Sequence, residues 1–359
     1  MLHWLSVLSV HTLENQNDKK NQEIPGGFKM ATLKEIAEIT NVSISTVSKV
    51  LNGKGRVSKE KRKQILKVAR ELGYTPNFHA RSMVRRVKIM ILGLVVPDIV
   101  NPFFAKLTRG VEKVCGEETL VIMMDSFRNL EREEKLIRNA RFFGIDGIII
   151  GNSRVDDDLV REVSQYIPVV VFDKDYDYKN VISVVLDNYY GAYLATKHLI
   201  KNGCRNIIHL GGTHELYVSI QRMKGYEAAM KEENLDPITY QVGYDEKKGY
   251  EQMKKILSTG DNVDGVFCMN DLVAIGAMKA IKKYGFNIPD DIAVVGFDND
   301  EELCEIVSPS LTSVHQPVEE MGEVSAKLLL DMIKGKLKVK RYIFSPHLVV
   351  RQSSVRSKR

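Results

Sequence analysis

No apolar run in the sequence approaches the roughly 20 residues needed to cross a bilayer, which excludes an ordinary membrane-spanning helix. The first apolar stretch, MLHWLSVLSV, lacks the basic leading segment and small-residue cleavage site of an export signal, so the expected location is the cytoplasm. Cysteine is scarce. The 4 thiols, Cys115, Cys204, Cys268 and Cys304, stand far apart with no CxxC pair, which argues against a zinc site or disulfide framework and leaves ordinary buried thiols. Also missing are a Walker loop, a catalytic carboxylate pair and a nucleophile elbow, so neither an enzyme nor a cofactor is expected. One His and one Glu in GGTHE, residues 211–215, are too few for a metal and read as a loop.

What is present is unevenly spread. Hydrophobic residues make up 44% of 359, enough to fill several cores. From 31 to 90 there are 14 Lys and Arg against 4 Glu, whereas residues 1–30 balance at 3 against 3 and the rest of the chain is mildly acidic. A small basic segment joined to a large acidic one is the pattern expected when only the first meets a polyanion. Residues 1–30 lack periodicity and are expected not to fold. Gly26-Gly27-Phe28-Lys29-Met30 is a peptide that a ribosome-binding sequence read through in frame would encode, which makes Met30 the expected native start.

Three short helical patterns follow. TLKEIAEIT opens with Thr32 and has Glu35 three residues on, a capping box, with Leu33, Ile36, Ala37 and Ile39 as its buried stripe. NVSISTVSKVLNG gives a second helix with Ser43 as its N-cap. Val50 and Leu51 each lie within about 60° of Val47 on a helical wheel, and Ser45, Lys49 and Asn52 lie opposite. That outer face carries hydroxyls and one lysine, side chains that fit against phosphates and base edges. A solvated amphipathic helix is the alternative. A third helix, capped by Ser58, ends at Gly73 before Pro76. Together the three suggest a helix-turn-helix.

From Val87 the texture changes to apolar runs alternating with helical periods. VKIMILGLVV, LVIMM, DGIIIG, PVVVF, ISVVL, NIIHLGG, a weak strand near 240, DGVFCMN and DIAVVGFD read as strands. Helices are expected from Pro102 and at 130–143, 155–165, 189–202, 217–232, 246–258 and 271–284. Strands apolar throughout and separated by helices imply parallel sheets covered on both faces. There are too many units for one sheet, so two doubly wound α/β lobes are expected, with a ligand where strand ends converge.

The ordered series ATLKEIAEITNVSISTVSKVLNG, VSKEKRKQILKVARELGYTPNFHARSM, ILGLVVPDIVNPFF, DNYYGAYLATKHLI, RMKGYEAAM, NDLVAIGAMKAI, IPDDIAVVGFDN, LTSVHQPVEEMG and LVVRQSS resembles the lac repressor family of bacterial transcription regulators, from Ala31 to about Ser353. The resemblance implies an all-α helix-turn-helix domain at 31–76, a hinge helix and linker at 77–87, a two-lobed, periplasmic-binding-protein-like core at 88–353 and a basic tail at 354–359. It further implies a homodimer that binds a double-stranded DNA operator and senses a small molecule. By the same resemblance, Ile44, Ser45 and Lys49 read bases, and Thr32, Ser43, Thr46, Ser48 and Asn52 serve the DNA-binding face. Asn77, Ala80, Arg81 and Met83 enter the minor groove. Asn41 replaces the usual turn glycine, and Lys49 a common arginine. Phe103 and Phe104 are expected to stack on the effector, and Asp173, Arg222, Asn270 and Asp298 to bond it, with Tyr244 and Asp98 as weaker candidates. One arginine facing one aspartate suits a neutral polyol, so a sugar or sugar derivative is expected. A sugar-binding protein without a role at DNA is the alternative. It leaves the three-helix segment unexplained.

Overall fold

The computed structural model describes residues 31–51, 57–72, 74, 89–336 and 339–356. The chain divides into two compact units between Val87 and Lys88.

In the first unit, α1 (Leu33–Thr40), α2 (Ile44–Leu51) and α3 (Lys59–Glu71) share a small core of Ile36, Ala37, Val47, Val50, Ile65 and Ala69. The capping box is formed: the Thr32 amide donates to Glu35 Oε2 at 2.7 Å, and the Glu35 amide to Thr32 Oγ1 at 3.2 Å. Asn41 ends α1 in the left-handed region at φ 49°, a conformation that asparagine adopts more readily than most residues. The expected stripe needs one correction. Ile39 is 55% exposed, and Thr40 turns inward with its hydroxyl donating to the Ile36 carbonyl at 2.6 Å. At 100° per residue Thr40 lies nearer than Ile39 to the centre of the face that Leu33 and Ile36 define.

The second unit contains two six-stranded sheets. The first orders β2 (Thr119–Asp125), β1 (Met90–Val96), β3 (Gly147–Gly151), β4 (Val169–Phe172), β5 (Val181–Leu186) and β11 (Arg341–Phe344), all parallel. The second repeats the plan with β7 (Ile238–Gln241), β6 (Ile207–Gly211), β8 (Gly265–Cys268), β9 (Ala293–Asp298), β10 (Thr312–His315) and an antiparallel β12 (His347–Val349). Both are doubly wound, with strand order reversing at β1/β3 and β6/β8, so polar residues after those strands face the crevice where such folds hold ligands.

Helices α4 (Pro102–Val114) and α12 (Val318–Ile333) pack together over the first sheet, with α5 (Leu130–Arg138) and α6 (Asp157–Ser164) on its other side. The second sheet lies between the pair α7 (Asn188–Lys201) and α8 (Tyr217–Glu232) and the pair α9 (Glu246–Thr259) and α10 (Asp271–Lys283). The short α11 (Glu301–Ile306) follows β9. The chain passes between lobes three times, after β5, β10 and β11. Helix α5 stops five residues short of its expected end, leaving Phe142 88% exposed. Cys204, Cys268 and Cys304 are buried and Cys115 is half-buried, all of them free thiols.

Two close packings give tests. A Cβ on Gly110 would collide with the carbonyl oxygen of Glu319, because α4 and α12 meet backbone to backbone. Gly110→Ala is expected to destabilise the core by about 1–3 kcal/mol in urea denaturation, and an unchanged midpoint would contradict this packing. His209, at the centre of β6, stacks on Phe267 with centroids 4.7 Å apart and has Nδ1 3.0 Å from the Phe267 carbonyl oxygen. Burial drives its pKa down to about 4, so the folded state holds it neutral. The unfolded imidazole takes a proton below about pH 6.5; the stability it contributes is therefore complete above that pH and lost as pH falls towards 4, by up to about 3 kcal/mol. His209→Phe should flatten the decline in stability between pH 6.5 and 4.5, measured by denaturation across that range; an unaltered slope would refute the assignment.

Candidate functional site

Two surfaces carry the residues singled out in the sequence. On the first unit, α2 buries Val47 and Val50 and turns Ile44, Ser45 and Lys49 outward, with Ile44 48% exposed despite its apolar side chain. Ser43 organises the start of the helix. Its hydroxyl accepts from the Thr46 amide at 3.2 Å and lies 2.9 Å from Ser45 Oγ and 2.8 Å from Thr46 Oγ1. Thr32 is exposed, and Thr46 and Ser48 are partly so. Asn52, Asn77, Ala80, Arg81 and Met83 lie outside the described residues.

The second surface is a cleft between the lobes, built around Arg222 of α8. Its guanidinium is buried and spends its donors on several elements. Nε donates to Asn188 Oδ1 at 2.8 Å, Nη1 to the Met269 carbonyl at 2.5 Å, and Nη2 to Gln316 Oε1 at 3.2 Å. Nη1 lies 3.5 Å from Asp298 Oδ1, and the group sits 3.5 Å above the Phe297 ring. Gln316 in turn donates to Asp173 Oδ2 at 3.0 Å. Asn188 stands after the first interlobe passage and Gln316 on the second, so one side chain joins both connections. Burial pushes Asp173 and Asp298 above the usual carboxylate range, with Arg222 pulling both back, and burial lowers Arg222 itself.

Beside this network lies a cavity of about 250 Å³. Phe103, Phe104, Arg222, Tyr244, Asn270 and Asp298 all line it. The two phenyl rings are edge to face at 5.1 Å. The Tyr244 hydroxyl accepts from the Thr213 amide at 3.1 Å, and Asn270 caps α10 while donating to the Tyr244 carbonyl at 3.0 Å. Asp173 is placed differently. It is buried behind Gln316, outside the cavity wall. Asp98 accepts from Arg128 Nη2 at 2.9 Å and is likewise off the wall. Polar lining residues beyond those expected from the sequence include Arg128, Asn152, Arg154, Thr213 and Lys248. Arg128 and Asn152 follow β2 and β3 as Asn270 follows β8, so their position after a strand was a usable signal. Gln316 follows β10, a strand the sequence pattern left unassigned.

A second chamber of about 360 Å³ shares Asn101, Phe103, Asn270 and Asp298 with the first. Ion pairs span the lobes on both sides, Lys106 to Asp300 at 2.9 Å and Arg154 to Glu215 at 2.9 Å. Among the described residues no group of His, Cys, Asp or Glu could hold a metal, and no helix is long and apolar enough to cross a membrane.

A capped helix-turn-helix followed in the same chain by a two-lobed binding core defines a class, the ligand-responsive DNA-binding regulators. Residues 32–77 match the bacterial regulatory proteins of the lacI family, and residues 196–354 match the periplasmic binding protein-like domain. The chain is 36% identical over 328 residues, 90% of its length and 97% of the relative's, to the ribose operon repressor of Halalkalibacterium halodurans. Among solved structures it resembles a cellobiose complex of the transcriptional regulator CelR (28% identity, TM-score 0.68, 90% and 99% of the two chains). It also resembles a ribose-bound lacI-family regulator from Enterococcus faecium (30%, 0.66, 75% and 100%). The chain belongs to the lacI family of bacterial regulatory proteins: it is a DNA-binding transcription regulator and not an enzyme.

Removing Arg222 should leave Asn188, Gln316 and two carboxylates without their cation. Arg222→Met is expected to destabilise the core by about 3–5 kcal/mol in urea denaturation, and a loss under about 1 kcal/mol would contradict its role as the tie.

Proposed function

We propose that the protein is a cytoplasmic repressor that binds operator DNA as a homodimer and is controlled by a sugar or sugar derivative held between its lobes. In this reading residues 31–76 form the DNA-binding domain, 77–87 the hinge and linker, and 88–353 the effector and dimerisation core. The observation that carries it is the face of α2. Ile44, Ser45 and Lys49 are exposed beside a wholly apolar inner face, on a unit whose third helix begins KEKRK. Ile44, Ser45 and Lys49 read base edges; Thr32, Ser43, Thr46, Ser48 and Asn52 position the backbone; Asn77, Ala80, Arg81 and Met83 act in the minor groove.

For the effector, Phe103 and Phe104 supply apolar contact, and Arg222, Asn270, Asp298 and Tyr244 offer donors and acceptors to hydroxyls. Asp173 acts by holding Gln316 against Arg222. Support for a carbohydrate comes from the relatives: one is a ribose operon repressor, and two similar structures hold cellobiose and ribose.

Gel shifts with genomic fragments upstream of the regulator's own gene test this reading. Wild-type protein should bind one roughly palindromic fragment with an affinity that falls steeply with salt. Lys49→Ala should weaken that complex by about 1–3 kcal/mol while leaving the fold intact. Equal binding to every fragment, or an unaffected Lys49→Ala variant, would remove the assigned reading surface.

A further inference from the structure

Resting on the effector reading above, we infer that the ligand is a sugar carrying an anionic group, a phosphate ester or a carboxylate. The 250 Å³ cavity is lined by four cations, Arg128, Arg154, Arg222 and Lys248, against one carboxylate, Asp298. The carboxylates paired with the three cations other than Arg222, namely Asp98, Glu215 and Asp245, are not on the wall. Each of those pairs is solvent-exposed at one end or both, which makes it weak and exchangeable.

The three cations share a cavity wall with Tyr244. Arg154 Nη2 donates to the Arg128 carbonyl, the Arg128 guanidinium lies 5.3 Å from the centre of the Tyr244 ring, and Lys248 packs against Gly243. Two guanidiniums and an ammonium so placed suit a tetrahedral or planar oxyanion, which takes charge-assisted bonds from each. Asn152 lies on the same wall, with its Oδ1 buried and without a hydrogen-bond partner among the described residues; it would accept from a sugar hydroxyl only if its side chain turned towards the cavity.

The neighbouring chamber runs the other way, with seven carboxylates against Lys106. An anion is therefore directed to one end of the cleft. Arg128 and Arg154 belong to the first lobe and Lys248 to the second, so an oxyanion between them favours lobe closure where a neutral sugar has less to offer.

Isothermal titration of the full-length protein tests this with matched probes: ribose and ribose 5-phosphate, fructose and fructose 6-phosphate, glucose, glucose 6-phosphate and glucuronate, with inorganic phosphate alone as a control. The inference predicts that the tightest ligand is a phosphate or carboxylate form, at least tenfold tighter than its parent sugar. That gap should collapse in Arg154→Met and in the well-exposed Lys248→Met, and largely persist in Arg154→Lys. A neutral sugar binding as tightly as its anionic form overturns the inference and leaves the carbohydrate reading intact. Inorganic phosphate matching the ester also overturns it, because the sugar then contributes nothing. If no probe binds, both the anionic and the carbohydrate readings fall, and the gel shift decides separately whether the chain acts at DNA.

Discussion

A guanidinium taken out of water must have its donors satisfied, and much of the core is arranged around meeting that need for Arg222. Its acceptors come from Asn188, Met269 and Gln316, its counter-charge from Asp298, and its face packs on Phe297. These groups lie on the second lobe and on two of the three interlobe connections. The connections therefore cannot move independently of Arg222, and a ligand touching Arg222 or Asp298 touches the hinge itself. Burial pushes both carboxylates of the network above the usual range, and the Arg222 guanidinium pulls both back.

The DNA-binding unit rests on a different balance. Among the described residues its core has six buried apolar side chains, so local terms matter more: the reciprocal Thr32–Glu35 cap, the left-handed Asn41 and the Ser43 hydroxyl that fixes the first turn of α2. These fix the orientation of Ile44, Ser45 and Lys49. Lysine at position 49 offers a point charge where a guanidinium would offer a fork, so under the proposed reading of this face its base preference would differ from that of an arginine.

Much of this was legible in the sequence because it follows from period. Apolar runs separated by helical repeats predicted two doubly wound lobes, and most of the expected helices begin and end within two residues of their observed limits. What escaped had weak periodicity. Strand β11 has three exposed residues of four and takes its place only by pairing with β5 from far along the chain. Because β10 to β12 were not assigned, Gln316 had no place in the site. Ile39 turns outward although apolar, because Thr40 lies nearer the centre of the buried face and satisfies its own hydroxyl there. In the cleft, residue type favoured aspartate and aromatics and missed Arg128, Arg154 and Lys248, whose convergence depends on tertiary placement. That placement is the ground for inferring an anionic sugar rather than a neutral polyol.

A repressor controlled by an effector, as proposed here, requires the cleft at Arg222 and the face of α2 to be energetically coupled. Coupling is reciprocal, so a ligand that alters operator affinity by a given factor must have its own affinity altered by the same factor. The most direct test is the ligand dissociation constant, measured by titration with and without saturating operator DNA. The account predicts a shift of about fivefold or more, equal to the shift in operator affinity at saturating ligand. Identical ligand affinities for free and DNA-bound protein would contradict it.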